Sequence, residues 1–283
     1  MFKLFRDAFK ITNEGIILAV PLVCFMWLIT LYISYSKEVV DTIPEMILSG
    51  VTVLFMSSAF SAGWFYMVKK CVEFSKKDFI LDEDKASESL NLIKSFTDGI
   101  GKFFLRYVEV SLVFAGIVLL TASVLYKISI PFIREIHFSL SQMGTVINSQ
   151  QDIAAFLNSL PQEQLIVLFQ LNLILMIVTS VFAFMQMLWM PEVIYSERDP
   201  FIALFLSIKK LFVRFWKSIG LFAYIVFLNF IISYFSTFAF LHPIVYMFLM
   251  IMYFYFIVYV VVLIFTYYDR EFNKSDKIED TEA

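Results

Sequence analysis

Long stretches without any charged side chain are the feature that most constrains this chain. Five stretches contain no Asp, Glu, Lys or Arg, and they are residues 15–36, 46–68, 110–126, 164–191 and 218–268. The last stretch has 51 residues, enough for two crossings of a bilayer with His242 and Pro243 between them. A crossing needs about 20 apolar residues. The sequence therefore predicts six transmembrane segments, near residues 16–35, 46–68, 107–127, 165–188, 218–238 and 244–267.

The composition excludes an ordinary soluble domain. The chain is 60% hydrophobic and 17% charged, with a mean hydropathy of +0.80. A membrane-spanning β-barrel would alternate apolar and polar residues in segments of about ten, whereas these stretches are apolar on all sides. Since open sheet edges cannot face lipid, the predicted fold class is all-α, a polytopic membrane protein of six helices.

Lysines and arginines are distributed unevenly between the connections. Nineteen of the 22 lie in the N-terminal segment, the second and fourth connections and the tail, and three lie in the other connections. Basic residues concentrate on the cytoplasmic side of a membrane protein. This pattern predicts that both termini are cytoplasmic. The first apolar stretch has no small-x-small cleavage pattern after it, so we expect it to remain as a membrane span.

Three cytoplasmic segments have the pattern of amphipathic helices, and they are residues 2–12, 86–104 and 199–218. Each precedes an odd-numbered span. The pattern predicts helices that lie in the headgroup plane with their apolar side toward the membrane.

The segment 199–218 shows this pattern most clearly. Asp199 can cap a helix whose first residue is Pro200. Ser207, Lys210, Arg214 and Lys217 recur at intervals of three and four residues and form one polar stripe, and we expect the three cations to contact anionic lipid headgroups. The predicted headgroup contacts are thus Lys210, Arg214 and Lys217.

The three segments suggest an internal repeat. Each unit would comprise an amphipathic helix, an outward span, a connection and an inward span, and the units would cover residues 1–68, 86–188 and 199–268. Residues 1–268 are thus predicted to form a single six-helix domain, and residues 269–283 a polar, disordered tail. Alternatively, basic amphipathic stretches simply flank inward-threaded spans, since the residue identities of the three segments do not align.

Polar side chains inside the spans are few. Arg106 and Glu109 lie three residues apart at the entry of the third span and can pair on one helix face; Glu109 can instead snorkel to the interface. Gln170 and Asn172 lie in the fourth span and Asn229 in the fifth. These amides either make hydrogen bonds between helices or line a polar cavity, so the five residues form a possible intramembrane site.

Small residues mark the second span, where Ser57, Ser58, Ser61, Ala62 and Gly63 fall within seven positions. Small side chains allow helix backbones to approach closely in a membrane. We therefore expect this span to pack tightly near the centre of the helix bundle.

Motifs for catalysis, metal binding or nucleotide binding are missing from the sequence. The two histidines, His137 and His242, have no cluster of further ligands around them, and zinc needs three or four. A GxxxxGK loop and the GxSxG and HExxH motifs do not occur. Glu192, Glu197 and Asp199 form an acidic cluster beside a span, which is either a catalytic carboxylate pair or a solvated turn with a helix cap. We predict no cofactor and no metal.

Residues 190–229, MPEVIYSERDPFIALFLSIKKLFVRFWKSIGLFAYIVFLN, place a Pro and an acidic turn before a basic helix and the fifth span. This arrangement resembles a pattern in bacterial six-span integral membrane families of unassigned function. They include the membrane-domain family associated with glycerophosphodiester phosphodiesterases. The resemblance implies a bacterial cytoplasmic-membrane protein with a six-helix bundle, and it carries over no catalytic residues.

The function expected from these features is that of a non-enzymatic membrane protein. It would be a scaffold, assembly factor or subunit that organises lipid or partner membrane proteins. Its expected partners are anionic membrane lipids and either a membrane-protein partner or a second copy of the chain, and not nucleic acid. The alternative is a transporter or channel subunit for a small molecule, ion or lipid, although such proteins usually have broken helices or midplane charges. A membrane enzyme ranks third.

Overall fold

A computed structural model describes residues 1–76, 82–135, 161–237 and 243–273. Within these residues the chain forms nine α-helices and one 3₁₀ turn, and no strand. The α-helices are α1 (Phe2–Glu14), α2 (Ala19–Val39), α3 (Ile43–Phe74), α4 (Asp82–Glu135), α5 (Gln162–Gln186), α6 (Trp189–Ser196), α7 (Pro200–Val213), α8 (Phe215–Ser236) and α9 (Pro243–Glu271). The 3₁₀ turn, Ile16–Leu18, leads into α2.

Among the described residues, six helical segments are long and apolar enough to cross a membrane, which confirms the number predicted from the charge-free stretches. They are Ile16–Val39, Ile43–Phe74, Asn91–Phe132, Gln162–Ser196, Phe215–Ser236 and Ile244–Glu271. Five of them contain a predicted span in full, and Phe215–Ser236 overlaps the predicted span 218–238. The protein is therefore an all-α, multi-pass membrane protein by the length and composition of its helices.

The chain divides into two compact units. The first comprises Met1–Val113 and Met185–Ala283, and the second comprises Phe114–Phe184. The second unit contains most of α5, in which no residue is buried. The first unit contains the buried core described below. The single domain and the threefold repeat predicted from the sequence stay predictions.

Helices α3 and α4 approach each other closely in the first unit. A Cβ atom at Gly63 would lie 2.7 Å from the backbone oxygen of Phe96, and one at Gly99 would lie 2.8 Å from that of Ala62. Ser58 adds a hydrogen bond from its hydroxyl to the backbone oxygen of Tyr107, at 3.2 Å. The prediction that small residues of the second span permit close packing is thus confirmed at Ser58, Ala62 and Gly63.

Aromatic rings fill the space beside this crossing. Phe65 stacks on Tyr107 from α4 and on Phe265 from α9, with ring centroids 5.9 Å apart in both pairs. Tyr195 of α6 contacts Phe265 and stacks on Tyr268 at 5.2 Å. All but Phe65 and Tyr195 in this group are almost fully buried, so the ends of four helices share one aromatic core.

The short helix α1 packs along the C-terminal helix α9. Phe9 meets the rings of Tyr255 and Tyr259 edge-on, at 6.2 and 6.4 Å. The Tyr255 hydroxyl donates a hydrogen bond to Oδ1 of Asn13 at 2.6 Å. These contacts join the two ends of the chain at one side of the first unit.

Two sequence predictions differ from the observed helices. Residues 86–104 form no separate surface helix but belong to α4, a continuous helix of 54 residues. Leu92, Ser95, Gly99 and Phe103 form a buried stripe along this part of α4, so it packs against the protein. The predicted tail also begins too early, because α9 continues to Glu271; residues 274–283 lie outside the described residues.

Candidate functional site

A buried polar cluster lies where α6, α7 and α9 meet. Glu192 of α6 is only 1% exposed. Its Oε2 atom lies 3.1 Å from Nζ of Lys210 in α7 and accepts a hydrogen bond of 2.7 Å from the Tyr268 hydroxyl of α9. Lys210 also donates to that hydroxyl at 2.9 Å. The three side chains therefore supply one another with ionic and hydrogen-bond partners, as a buried ion pair requires.

The turn between α6 and α7 brings Glu192 and Lys210 together. Helix α6 ends at Glu197, which has a positive φ of 54° and reverses the chain. Oδ1 of Asp199 then accepts hydrogen bonds from the backbone N–H groups of Phe201 and Ile202, at 2.9 and 3.4 Å. This confirms the predicted helix cap. The indole N–H of the buried Trp189 closes the turn by donating to the Pro200 carbonyl at 2.9 Å.

The acidic cluster predicted at this turn has three separate roles. Glu192 is buried in the polar cluster, so the interpretation as a solvated turn is wrong for this residue. Glu197 forms an ion pair with Lys102 of α4. The hydrogen bond from Lys102 lowers the pKa of Glu197, and the nearby positive charges act in the same direction. Each of the three carboxylates thus has its own partner.

A second buried carboxylate lies one residue beyond Tyr268. Asp269 is 1% exposed and lies 2.5 Å from Nζ of Lys76 at the end of the α3 chain segment. Its Oδ1 atom also accepts a hydrogen bond from Asn273. Seven residues before Lys76, in the last part of α3, Lys69 donates to the Ile194 carbonyl at 3.2 Å. These contacts fasten the end of α3 to both α6 and α9.

A charged cavity of about 500 Å³ lies beside Asp269, between α1 and the ends of α3 and α9. Its lining includes the ion pair between Asp7 and Arg270, in which Oδ2 and Nη2 are 2.7 Å apart. The hydrogen bond from Arg270 lowers the pKa of Asp7 despite some desolvation. The cavity walls therefore carry charges of both signs that are largely paired. Among the described residues, no group of three or more His, Cys, Asp or Glu side chains could hold a metal ion.

The cations predicted to contact lipid headgroups have protein partners. Lys210 points into the polar cluster, and its side chain is 18% exposed. Lys217 and Arg214 both approach Glu271 of α9, at 2.8 and 3.7 Å, and their side chains are about half exposed. The polar stripe of residues 207–217 thus faces α9, whereas the apolar side chains of α7 and the start of α8 are exposed, namely Phe201, Ile202, Phe205, Phe212 and Trp216.

The five residues of the possible intramembrane site are divided between the two units, and whether they form one site stays a prediction. Arg106 lies over the ring of Phe103 at 5.5 Å, and no salt bridge joins it to Glu109 although both residues are described. Glu109 is exposed. The three amides are also exposed and lie in different units, Asn229 in the first and Gln170 and Asn172 in the second.

Sequence reasoning missed Tyr268, Asp269 and Lys76. Tyr268 ends the longest apolar stretch, and Asp269 is the first charge after it. That position is typical of a span end facing water, so the pattern gave no sign of burial. One signal was available: Glu192 is the first charge after the fourth charge-free stretch, just as Asp269 is after the fifth.

Comparison of the chain with protein-family models, with curated proteins and with solved structures finds no match. The resemblance of residues 190–229 to bacterial six-span families therefore stays a prediction.

Proposed function

We propose that this protein is a non-enzymatic component of the bacterial cytoplasmic membrane, a scaffold, assembly factor or subunit that organises lipid or partner membrane proteins. Both termini lie in the cytoplasm in this proposal, which rests on the concentration of 19 lysines and arginines in alternate segments. The helices α1 and α7 then lie on the cytoplasmic side, next to the buried polar clusters.

Exposed amides in the middle of two apolar helices carry the proposal. Gln170 and Asn172 lie about 12 and 15 Å along α5, and Asn229 about 21 Å along α8, at 1.5 Å per residue. All three are exposed, and none makes a side-chain hydrogen bond to a described residue. Lipid chains cannot satisfy an amide at this depth. A helix from another subunit can, through an interhelical hydrogen bond.

The surroundings of these amides support a lateral partner. No residue of α5 is buried, and in α2 the one buried residue is Leu22. Gln170 and Asn172 are two residues apart and so lie on nearly opposite sides of α5. Either side of the helix can therefore present an amide to another polypeptide.

Purification in mild detergent, followed by native mass spectrometry, tests the proposal. We expect the wild-type protein to carry a partner protein or a second copy. Replacing the three amides by leucine, in Gln170→Leu, Asn172→Leu and Asn229→Leu, should release it. Thr179→Val is the matched control in α5, because the Thr179 hydroxyl already bonds to the Leu175 carbonyl of its own helix.

Transport is the competing function, and the same exposed amides could line a pore formed by several copies. It predicts flux of a solute across liposomes that contain the protein alone, and loss of that flux in Glu109→Gln. A monodisperse, partner-free protein with such flux would overturn the scaffold proposal. Outside labelling of a cysteine placed at Asn273 would overturn the proposed orientation.

A further inference from the structure

Two separate cavities, here named together the groove, lie along helices α8 and α9, and one section is charged whereas the other is apolar. Near the start of α8 and the end of α9, a cavity of about 170 Å³ is lined by Lys3, Lys217 and Arg270. Farther along the same two helices, a second cavity of about 520 Å³ is lined almost wholly by apolar and aromatic side chains, including Leu228 and Ile232 of α8. Helix α1 contributes to both cavities.

The charged and apolar sections together have the depth of one lipid leaflet. Tyr224 and Ile232 lie 7 and 15 residues beyond Lys217, which corresponds to about 10 and 22 Å along a helix. Half of a bilayer, including its headgroup region, is about 20 to 22 Å thick. A lipid molecule that extends from Lys217 to near Ile232 therefore has the length of one leaflet's thickness.

The charged section has an excess of positive charge. Its lining has three cations and one carboxylate, that of Glu271, which binds Lys217. Arg270 is bound by Asp7, which belongs to the adjoining charged cavity. Lys3 makes no salt bridge with a described residue. One cation is thus left to neutralise a ligand, and a phosphodiester carries one negative charge.

Two tyrosine side chains of the apolar section, Tyr224 and Tyr259, lie at the end of its lining that is nearer the charged section along α8 and α9. The ring of Phe5 stacks on Tyr224 at 4.0 Å, and the hydroxyls of Tyr224 and Tyr259 are 3.1 Å apart. Tyr224 lies between Lys217 and Leu228 along α8. The order along the groove is therefore cationic, hydroxyl-bearing and apolar, which is the order of phosphate, glycerol esters and acyl chain in a phospholipid.

We propose that this groove binds one anionic phospholipid. Its phosphodiester would lie against Lys3, Lys217 and Arg270, and an acyl chain would lie along Leu228 and Ile232. The proposal rests on the proposed membrane function and gives it a defined lipid site. In this arrangement α1 holds the lipid against the two span helices, so the N-terminal helix serves as one wall of a lipid site.

Native mass spectrometry of the full-length protein, titrated with phosphatidylglycerol or phosphatidylcholine, tests the site. We expect one tightly bound phosphatidylglycerol, with at least a fivefold weaker affinity for phosphatidylcholine. Lys3→Gln should lower the preference for phosphatidylglycerol severalfold. Lys209→Gln is the matched control, since Lys209 is exposed on α7 and does not line the groove.

A second pair of variants tests the apolar section. Leu228→Trp should fill the groove and lower the occupancy of both lipids severalfold. Val226→Trp introduces the same ring on an exposed part of α8 outside the groove lining and should leave occupancy unchanged.

Equal retention of the two lipids by the wild type would overturn the proposed headgroup site. Equal occupancy in the Leu228→Trp and Val226→Trp variants would overturn the proposed acyl site. Either result leaves the scaffold proposal standing, because that proposal is tested by release of a protein partner in the amide variants. If the wild-type protein carries no protein partner but still prefers phosphatidylglycerol, the scaffold proposal is overturned and the lipid site stands.

Discussion

The two halves of helix α9 are both rich in apolar residues but are packed quite differently. From residue 244 to residue 253 nearly every side chain is exposed, whereas most residues from 258 to 269 are buried. Helix α3 shows the same division, because all of its buried residues lie between Ser58 and Val72. The buried halves are the parts against which the short helices α1, α6 and α7 pack, and these short helices contribute polar side chains to the contacts.

This difference shows that hydrophobicity alone does not determine where span helices pack. In a membrane the lipid is as apolar as a leucine side chain, so an apolar surface gains little from a protein partner. Polar groups are stabilised by a protein partner, since lipid cannot satisfy their hydrogen bonds. The ion pairs of Glu192 and Asp269 lie at the buried halves, whereas the exposed Asn229 of α8 makes no side-chain hydrogen bond to a described residue.

The largest effect is expected from removing the carboxylate at the centre of the packed end. Glu192→Leu leaves Lys210 in a site where it is mostly buried, and breaking a buried pair in this way costs about 3–5 kcal/mol. The free energy of unfolding in detergent should fall by that amount. The control is Glu163→Leu, at an exposed position in the first turn of α5.

The double variant Glu192→Leu/Lys210→Met tests whether the loss comes from the unpaired charge. It should recover most of the stability, because replacing both members of a buried pair by apolar residues is often neutral. If Glu192→Leu alone unfolds like the wild type, the polar cluster does not hold the packed end together.

The next largest effect is expected at the crossing of α3 and α4. In Gly99→Ala the new Cβ would lie 2.7 Å from Cβ of Tyr66 and 2.8 Å from the Ala62 carbonyl oxygen. Such overpacking typically costs about 1–3 kcal/mol. Gly101→Ala is the matched control two residues away, because its Cβ meets nothing within 4 Å. Thermal unfolding should show a loss for the first variant and none for the second, and equal behaviour would exclude a close crossing.

A smaller effect is expected at the cap of α7. Asp199→Ala removes the acceptor for the N–H groups of Phe201 and Ile202 and should cost about 1 kcal/mol. The measurement is the free energy of unfolding, compared with Asp199→Asn, which keeps an accepting side-chain oxygen. A loss of equal size in both variants would show that charge, and not capping, is what matters at this position.

The smallest effect is expected from the pH dependence of the contact between α1 and α9. The bond from Arg270 lowers the pKa of Asp7 in the folded protein, so this contact stabilises the fold above the unfolded pKa, about 3.9. The contribution is lost as the pH falls through the folded value. Below about pH 4 the midpoint of thermal unfolding should therefore fall more in the wild type than in Asp7→Asn. Parallel curves for the two proteins would contradict this role of Asp7.

The number of spans could be predicted because charges are excluded from a bilayer at any position along a crossing. The side on which each helix packs against the protein could not be predicted, because a polar stripe can face either lipid headgroups or a protein partner. The sequence predicted headgroup contacts for Lys210, Arg214 and Lys217, and it gave no sign that Lys210 pairs with the buried carboxylate of Glu192. The segment 86–104 was expected to be a separate helix. No proline separates it from the third span, so the helix continues, and Gly99 fits it against α3.

Quenching of the four native tryptophans by acyl-brominated lipids tests the contrast between packed and exposed regions most directly. Trp64 and Trp189 are 3% and 0% exposed, whereas Trp27 and Trp216 are 66% and 83% exposed. In liposomes, variants that each retain one tryptophan should show strong quenching of Trp27 and Trp216 and little quenching of Trp64 and Trp189. Equal quenching at all four positions would show that the helix ends are not packed as described.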